Sequence, residues 1–453
     1  MPAMSSDPDF SFSCLVHDCV DHEEILDPLD AYDLNDLNDP LSSVPTTPHP
    51  TPPHSPKLGT FDTSPLPTTL NPPNPRNHQK KQSHVNRKKQ QAKKRESNKP
   101  YNYQARANTK RKHQTQPEEI RTVYATQKAP VASSGYVGKR FDEGWKRPVA
   151  LRDLVGPNSW YGFDYKPWSG REAIPVADDK GRVIAVLAGQ PEDPDWESVH
   201  TSASNLLDQS RGKCTFSQKQ RKHRRGRYSA LSAGISFGRG QTFPQNLHHE
   251  GTAAQVLATL INHIAFIRLA GFASGVFAAW APSLFQYYAM HLRALLLSND
   301  NLILNFTNSI FSACTFNFGP KTVTVEHTDS GNLPFGWCAI TALGRFNPKK
   351  GGHLILWDLK LVIEFPPGST ILIPSAMLRH SNTTIDPGEM RYSFTQYTAG
   401  GLFCWVDHGF QLSEDYWRQL NSVERDAALR TRAGRWEMGL GLYSKLSVLK
   451  EGK

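Results

Sequence analysis

The chain has 453 residues, of which 38% are hydrophobic and 33 are proline, and its formal net charge is +10. That length admits two or three domains, but the apolar content is too low for every residue to join a core. Six scattered cysteines without a CxxC pair exclude a disulfide scaffold, and the first residues have neither a basic start nor an apolar run, which speaks against a secretory leader.

The charge is unevenly placed. Residues 1–40 hold 11 acidic residues and no Lys or Arg, residues 41–75 are neutral, residues 76–112 carry +13 and the remainder carries +8. The first block alternates acid with leucine, as in Asp33-Leu-Asn-Asp-Leu37, and reads as a solvated acidic tail. Cys14, His17, Cys19 and His22 lie within it at cramped spacing and read as solvated polar residues rather than zinc ligands. Residues 45–75 contain 11 prolines. Proline lacks an N–H and restricts the residue before it, so neither helix nor sheet is expected there. Runs such as Arg87-Lys88-Lys89 and Lys93-Lys94-Arg95 in the basic block suit phosphate backbones and nuclear entry. The expectation is a nuclear protein whose residues 1–130 form a disordered tail, with no packed structure before about Val131.

From about Gly135 aromatic residues recur, and residues 131–300 read as a mixed α/β supporting region. A turn at Asp179-Lys-Gly181 leads into a strand over 182–187, and 192–209 reads as helix. A second basic cluster follows, Lys219, Arg221, Lys222, Arg224, Arg225 and Arg227, expected to meet nucleic-acid phosphates. Helical spacing covers 253–269, with Val256, Leu257, Leu260, Ile261 and Ile264 on one stripe, and 282–297. Residues 269–290 hold no charge, but Gly271, Gly275, Pro282 and Gln286 interrupt them, so they read as buried core and not as a membrane span.

Residues 301–412 change period. Short β-rich runs recur at 314–318, 321–327, 338–343, 353–357, 361–365, 370–374, 390–398 and 402–406, broken by Gly, Pro and Asn. Eight such runs predict an α+β protein whose core is a jelly roll of the double-stranded β-helix, cupin-like kind, braced by helices. Residues 413–453 close the chain with an amphipathic helix over 413–435 and a tail.

His327-Thr-Asp329 ends one of these strands, and residues two apart on a strand share a face. His380 follows 51 residues after Asp329, a return a jelly roll can bring alongside. Two histidines and one carboxylate on one face hold non-haem Fe(II) and leave positions open for substrate and O2. Eleven residues on, Arg391 and Ser393 share a strand face. A guanidinium grips a carboxylate through two parallel hydrogen bonds, and a serine hydroxyl adds a third, which suits 2-oxoglutarate.

His327-Thr-Asp329-Ser-Gly-Asn332-Leu-Pro-Phe-Gly336 resembles the H-x-D-x-x-N-x-x-x-G signature of the TET/JBP dioxygenases, and Arg391-Tyr-Ser393-Phe-Thr-Gln-Tyr397 resembles their R-x-S-x-x-x-Y strand. The resemblance covers residues 310–405 and is to the short, fungal type. It implies an enzyme that oxidises the methyl group of 5-methylcytosine or thymine in nucleic acid. His327, Asp329 and His380 are implied as catalytic iron ligands, and Arg391 and Ser393 as the 2-oxoglutarate grip. Asn332 and Tyr397 are implied to contact a flipped base. Two departures bear on the base: Ala399 stands where animal TET enzymes place a base-contacting histidine, and their Cys-rich zinc module is missing. A 2-oxoglutarate dioxygenase acting on a protein side chain, and an inactive barrel that only binds nucleic acid, are the alternatives.

Overall fold

The computed structural model describes residues 99–105, 110, 118–141, 147–238 and 240–451. The acidic block, the proline-rich stretch, the Cys14–His22 cluster and most of the basic block lie outside the described residues.

Side-chain alternation along one strand organises the rest. In β13 (Met390–Tyr397), Tyr392 and Phe394 turn outward into an aromatic cluster, which leaves Arg391 and Ser393 for the opposite face. β13 lies inside a nine-stranded sheet. The order is β1 (Ile120–Arg121), β3 (Ile174–Ala177), β4 (Val183–Gly189), β11 (Thr370–Ile373), β8 (Cys338–Arg345), β13, β7 (Ala313–Asn317), β5 (Ala230–Ser236) and β6 (Gln245–Asn246). A second sheet has the order β12 (His380–Asn382), β9 (Leu354–Leu356), β10 (Leu361–Ile363) and β2 (Asp164–Lys166). Neighbours are antiparallel except β1 with β3 and β2 with β10. Leu354, Leu356 and Ile363 of the small sheet share one apolar cluster with Ala342, Ile371 and Ile373 of the large one, so the sheets pack face to face. Each of these buried Leu and Ile side chains contributes roughly 1.5–3 kcal/mol. The architecture is α+β with jelly-roll-like layering, and strand pairing crosses residue 300, since β5 pairs β7 and β4 pairs β11.

Helices cover the outer face of the large sheet: α1 (Trp196–Arg211), α2 (Gly251–Asn262), α3 (Ile264–Trp280) and α4 (Pro282–Ser298). Phe266 of α3 meets Phe316 and Phe394 edge-on, with ring centroids 5.0 and 5.2 Å away. Residues 269–290 belong to α3 and α4, where Phe277 and Trp280 are fully buried, and Pro282 starts the second helix. Among the described residues no single helix is long and apolar enough to cross a membrane; α2 and α3 together pass that test but are bent by 62°.

Several expectations need correction. Residues 99–105 and 118–130 are packed: Tyr103 meets Phe285 edge-on with centroids 6.1 Å apart, Ile120 joins the large sheet, and the fully buried Thr126 donates its hydroxyl to Asp178 at 2.7 Å. The helix expected over 253–269 breaks at His263, whose Nδ1 caps α3 by accepting from the Ala265 N–H. The run 402–406 is not a strand but part of α5 (Gly400–Asp407). A short apolar run buried on several sides is periodically ambiguous, which is why it misleads. The helix expected over 413–435 is two, α6 (Ser413–Gln419) and α7 (Ser422–Gly441), because Asn421 caps the second through the Val423 and Glu424 N–H groups. Residues 321–327 form isolated bridges instead of a regular strand. Their backbone is held partly by side chains, as where the Thr324 N–H donates to Asn382 Oδ1 at 2.9 Å.

Candidate metal centre

His327 and His380 face each other across an antiparallel bridge, exchanging N–H···O bonds of 3.1 and 2.8 Å. This pairing, and not a continuous strand, aligns their rings, whose centroids are 4.3 Å apart. Asp329 is fixed by its own N–H, which donates to the Ser375 carbonyl at 2.8 Å. Its Oδ1 is then 3.9 Å from His327 Nε2 and its Oδ2 3.7 Å from His380 Nε2. The three buried residues offer ligand atoms that all lie within 4.8 Å of one another. With metal bonds of about 2.0–2.2 Å, ligands at right angles sit about 3 Å apart, so small side-chain rotations close the site.

Protonation suits the same role. Each Nδ1 faces a backbone carbonyl, Val325 O for His327 at 2.7 Å and Leu378 O for His380 at 2.9 Å. A carbonyl only accepts, so the proton sits on Nδ1 and the Nε2 lone pair points to Asp329. Burial pushes both imidazole pKa values down, for His327 well below the usual range with the help of His380. Burial alone would raise the Asp329 carboxyl, but His327, Arg225, His380 and Arg224 together hold it well below the usual carboxylate range. Near neutral pH the set is therefore two neutral imidazoles and one carboxylate, the donor set of a non-haem Fe(II) centre.

Arg391 turns toward the cluster between the sheets, its guanidinium carbon 5.8 and 5.9 Å from the ring centroids of Phe346 and Phe365. It is 3% exposed, and no carboxylate pairs with it among the described residues. Nη1 donates to the Thr322 carbonyl at 3.0 Å, while Nε has no partner. Burial lowers its pKa to about 10, so it stays cationic at neutral pH. An uncompensated buried guanidinium costs several kcal/mol, and an anion would offset that. Ser393 accepts from Asn317 Nδ2 at 2.8 Å, Thr322 Oγ1 is unpartnered, and so is Nε2 of His353, on which the Arg391 charge acts. Burial pushes the Tyr228 phenol up, and the charges of Arg225, Asp329, Arg391 and Arg224 all act on it. An unanswered guanidinium Nε, a free hydroxyl and a free imidazole nitrogen fit the carboxylate of a small dianion.

Sequence reasoning missed Thr322, Asn317, His353 and Tyr228. Their only signal was register: Asn317 pairs Ser393 across β7 and β13. It also misjudged part of the basic cluster. Lys219, Arg221, Lys222 and Arg227 are exposed, but Arg224 and Arg225 reach inward to 3.5 and 3.8 Å from Asp329 Oδ1. Asn332 is 6% exposed, its N–H closes a turn onto the Asp329 carbonyl at 2.9 Å, and Nδ2 donates to Ser375 Oγ at 3.1 Å. Its Oδ1 has no partner. Tyr397 is half-buried at the other end of β13 from Arg391, with its hydroxyl toward Ser232 and Thr315. Gly336 is glycine for space: a Cβ there would lie 2.0 Å from the Tyr288 hydroxyl.

No family model and no curated protein matches the chain. Among solved structures, NgTET1 in complex with 5mC DNA aligns with a TM-score of 0.36 at 17% identity, over 54% of this chain and 84% of that one. An oxidoreductase of the 2OG-Fe(II) oxygenase family from Burkholderia pseudomallei aligns with a TM-score of 0.22 at 17% identity, over 39% of this chain and 70% of that one.

Proposed function

We propose that the chain is an Fe(II)/2-oxoglutarate-dependent dioxygenase, built on a double-stranded β-helix over residues 301–412, that oxidises the methyl group of a modified base in nucleic acid. One observation carries the reading: a buried His-Asp-His set with both Nε2 atoms near the carboxylate stands beside a buried arginine that pairs with no carboxylate among the described residues. The order β11-β8-β13-β7 facing β12-β9-β10 supports the barrel assignment.

His327, Asp329 and His380 would hold the iron. Fe(II), with 2-oxoglutarate and O2, supplies an oxidant able to replace a C–H hydrogen by hydroxyl. The chain's own residues bind and orient. Arg391 and Ser393 hold the far carboxylate of 2-oxoglutarate, with Thr322 and His353 as further donors. The carbonyls of Val325 and Leu378 fix both histidine tautomers. The aliphatic cluster between the sheets keeps bulk water out.

The substrate reading rests on the motif resemblance and on charge. 5-Methylcytosine or thymine would enter flipped, with the free Oδ1 of Asn332 and the ring of Tyr397 as its contacts. Lys219, Arg221, Lys222 and Arg227 offer phosphate contacts on the stretch of chain that carries Arg224 and Arg225 to the site. The basic block at 76–112 would add salt-sensitive affinity and nuclear entry.

Purified protein with Fe(II), 2-oxoglutarate, O2 and methylated DNA should release succinate and convert 5-methylcytosine to an oxidised base, read by mass spectrometry. His327→Ala and Asp329→Ala should abolish both. Activity surviving in both variants would sink the iron assignment, and oxidation of a peptide but not of DNA would favour a protein hydroxylase.

A further inference from the structure

Tyr136 lies outside the triad and outside the pocket around Arg391, yet its segment touches the turn that carries Asp329 and Asn332. Gly138 donates its N–H to the Ser330 carbonyl at 2.7 Å, and Gly400 donates its own to the Gly331 carbonyl at 2.9 Å. A Cβ on Gly400 would sit 1.7 Å from the Tyr136 carbonyl oxygen, and one on Gly138 would sit 2.3 Å from the Ala376 carbonyl oxygen. Three backbone stretches, 136–138, 329–332 and 399–400, are thus in direct contact, and only glycine allows the approach.

The Tyr136 side chain is locked from the other side. Its hydroxyl donates to Asp407 Oδ2 at 2.6 Å, and the Asp407 Oδ1 lies 2.8 Å from His291 Nε2. The Arg435 guanidinium sits 3.9 Å from the Tyr136 ring centroid and donates to the Ser134 carbonyl at 2.7 Å. Gly400 and Asp407 are the two ends of α5. Tyr136 therefore spans one helix, with its carbonyl at the first residue and its hydroxyl at the last. The tyrosine, the carboxylate, the imidazole and the guanidinium come from four separate parts of the chain.

We infer that Tyr136 is a positioning residue: pinned by Asp407, His291 and Arg435, it braces the 329–332 turn against α5 and so keeps the Asp329 carboxylate on the two imidazoles. The inference rests on the metal reading above. It concerns support one step beyond the ligands' own hydrogen-bond partners, whose loss typically weakens metal affinity about 10- to 100-fold, so a smaller effect is expected here.

Full-length protein titrated with Mn(II), followed by the electron paramagnetic resonance signal of the free ion, tests it. Tyr136→Phe removes the hydroxyl and Asp407→Asn keeps the shape but weakens the clamp. Both should bind Mn(II) several-fold more weakly than the parent chain, up to about tenfold. Tyr165→Phe is the control, since it removes another tyrosine–carboxylate bond, to Glu364 at 2.6 Å, on a strand at the far edge of the small sheet from His380. It should lower the urea midpoint comparably and leave Mn(II) affinity unchanged. Parent-like Mn(II) binding by both folded clamp variants overturns the inference while the metal reading stands, and equal weakening in Tyr165→Phe overturns it as mere destabilisation. A parent chain that binds no Mn(II) overturns the metal reading and the inference with it.

Discussion

Arg391 concentrates the chemistry at the scale of a single residue. Its charge is buried, its pKa of about 10 keeps it cationic, and its free Nε needs an acceptor. Charge-assisted hydrogen bonds are worth about 1.5–3 kcal/mol. Arg391→Ala should therefore raise the 2-oxoglutarate KM about 10- to 100-fold, as each 1.4 kcal/mol is a factor of ten. Arg391→Lys should recover only part, because an ammonium keeps the charge and loses the fork. Steady-state succinate assays check this, and an unchanged KM in both variants would remove Arg391 from the pocket. Arg391 and Ser393 could be singled out by strand alternation, which β13 keeps, whereas His327, Asp329 and His380 could be singled out only by residue type and order, since no regular strand carries His327 and Asp329. Thr322, Asn317, His353 and Tyr228 were not, because common residue types acquire meaning only from cross-strand register.

Elements show where local rules suffice and where they do not. Pro282 at the start of α4 and Asn421 at the start of α7 end one helix and begin another, as their chemistry dictates. Asn421 accepts from two N–H groups, and Glu424 returns a bond to the Asn421 N–H at 2.9 Å. Asn421→Ala should cost about 1 kcal/mol, read as a lower urea midpoint, and no shift would show that α7 frays without consequence. Residues 402–406 behave otherwise. Leu-Phe-Cys-Trp-Val has strand propensity, but Gly400 packs on the Tyr136 carbonyl and the chain then coils into α5. Tertiary packing overrides propensity there. Residues 321–327 fail as a strand for a related reason, since part of their hydrogen bonding is supplied by Asn382 and Arg225 rather than by a ladder.

The whole molecule responds to pH and salt through charges spread along its length. Burial lowers the pKa of His353 to about 4, helped by the Arg391 charge, and that of His408 to about 4, helped by Arg435. In the unfolded chain both titrate near 6.5. Between about pH 6.5 and 4 the unfolded chain binds more protons, so stability is full above that window and falls as pH drops through it, by at most roughly 3 kcal/mol per histidine. Urea unfolding at pH 7 and pH 5 should show the loss, and His408→Gln should flatten it; an unchanged pH slope would remove His408 from the account. The role proposed for the basic block is in binding instead. Deleting residues 76–98, which spares the packed residues 99–105, should weaken nucleic-acid affinity, reduce its salt dependence and exclude a fluorescent fusion from the nucleus. Unchanged affinity and salt slope would leave the block a linker or an entry signal.

The net charge of +10 divides accordingly, into −11 and +13 along residues 1–112 and +8 over the rest. Sequence alone determined what depends on neighbours along the chain: most of the alternating strands, the proline helix start, the charge blocks, and the residue types of the candidate site. Only the tertiary structure decided what depends on contacts between distant segments. It paired His327 with His380, turned Arg224 and Arg225 toward Asp329, gathered polar groups around Arg391 and set Tyr136 across α5. The reason is physical: a donor, an acceptor or a charge takes its role from what faces it, and in this chain the facing group lies tens to hundreds of residues away.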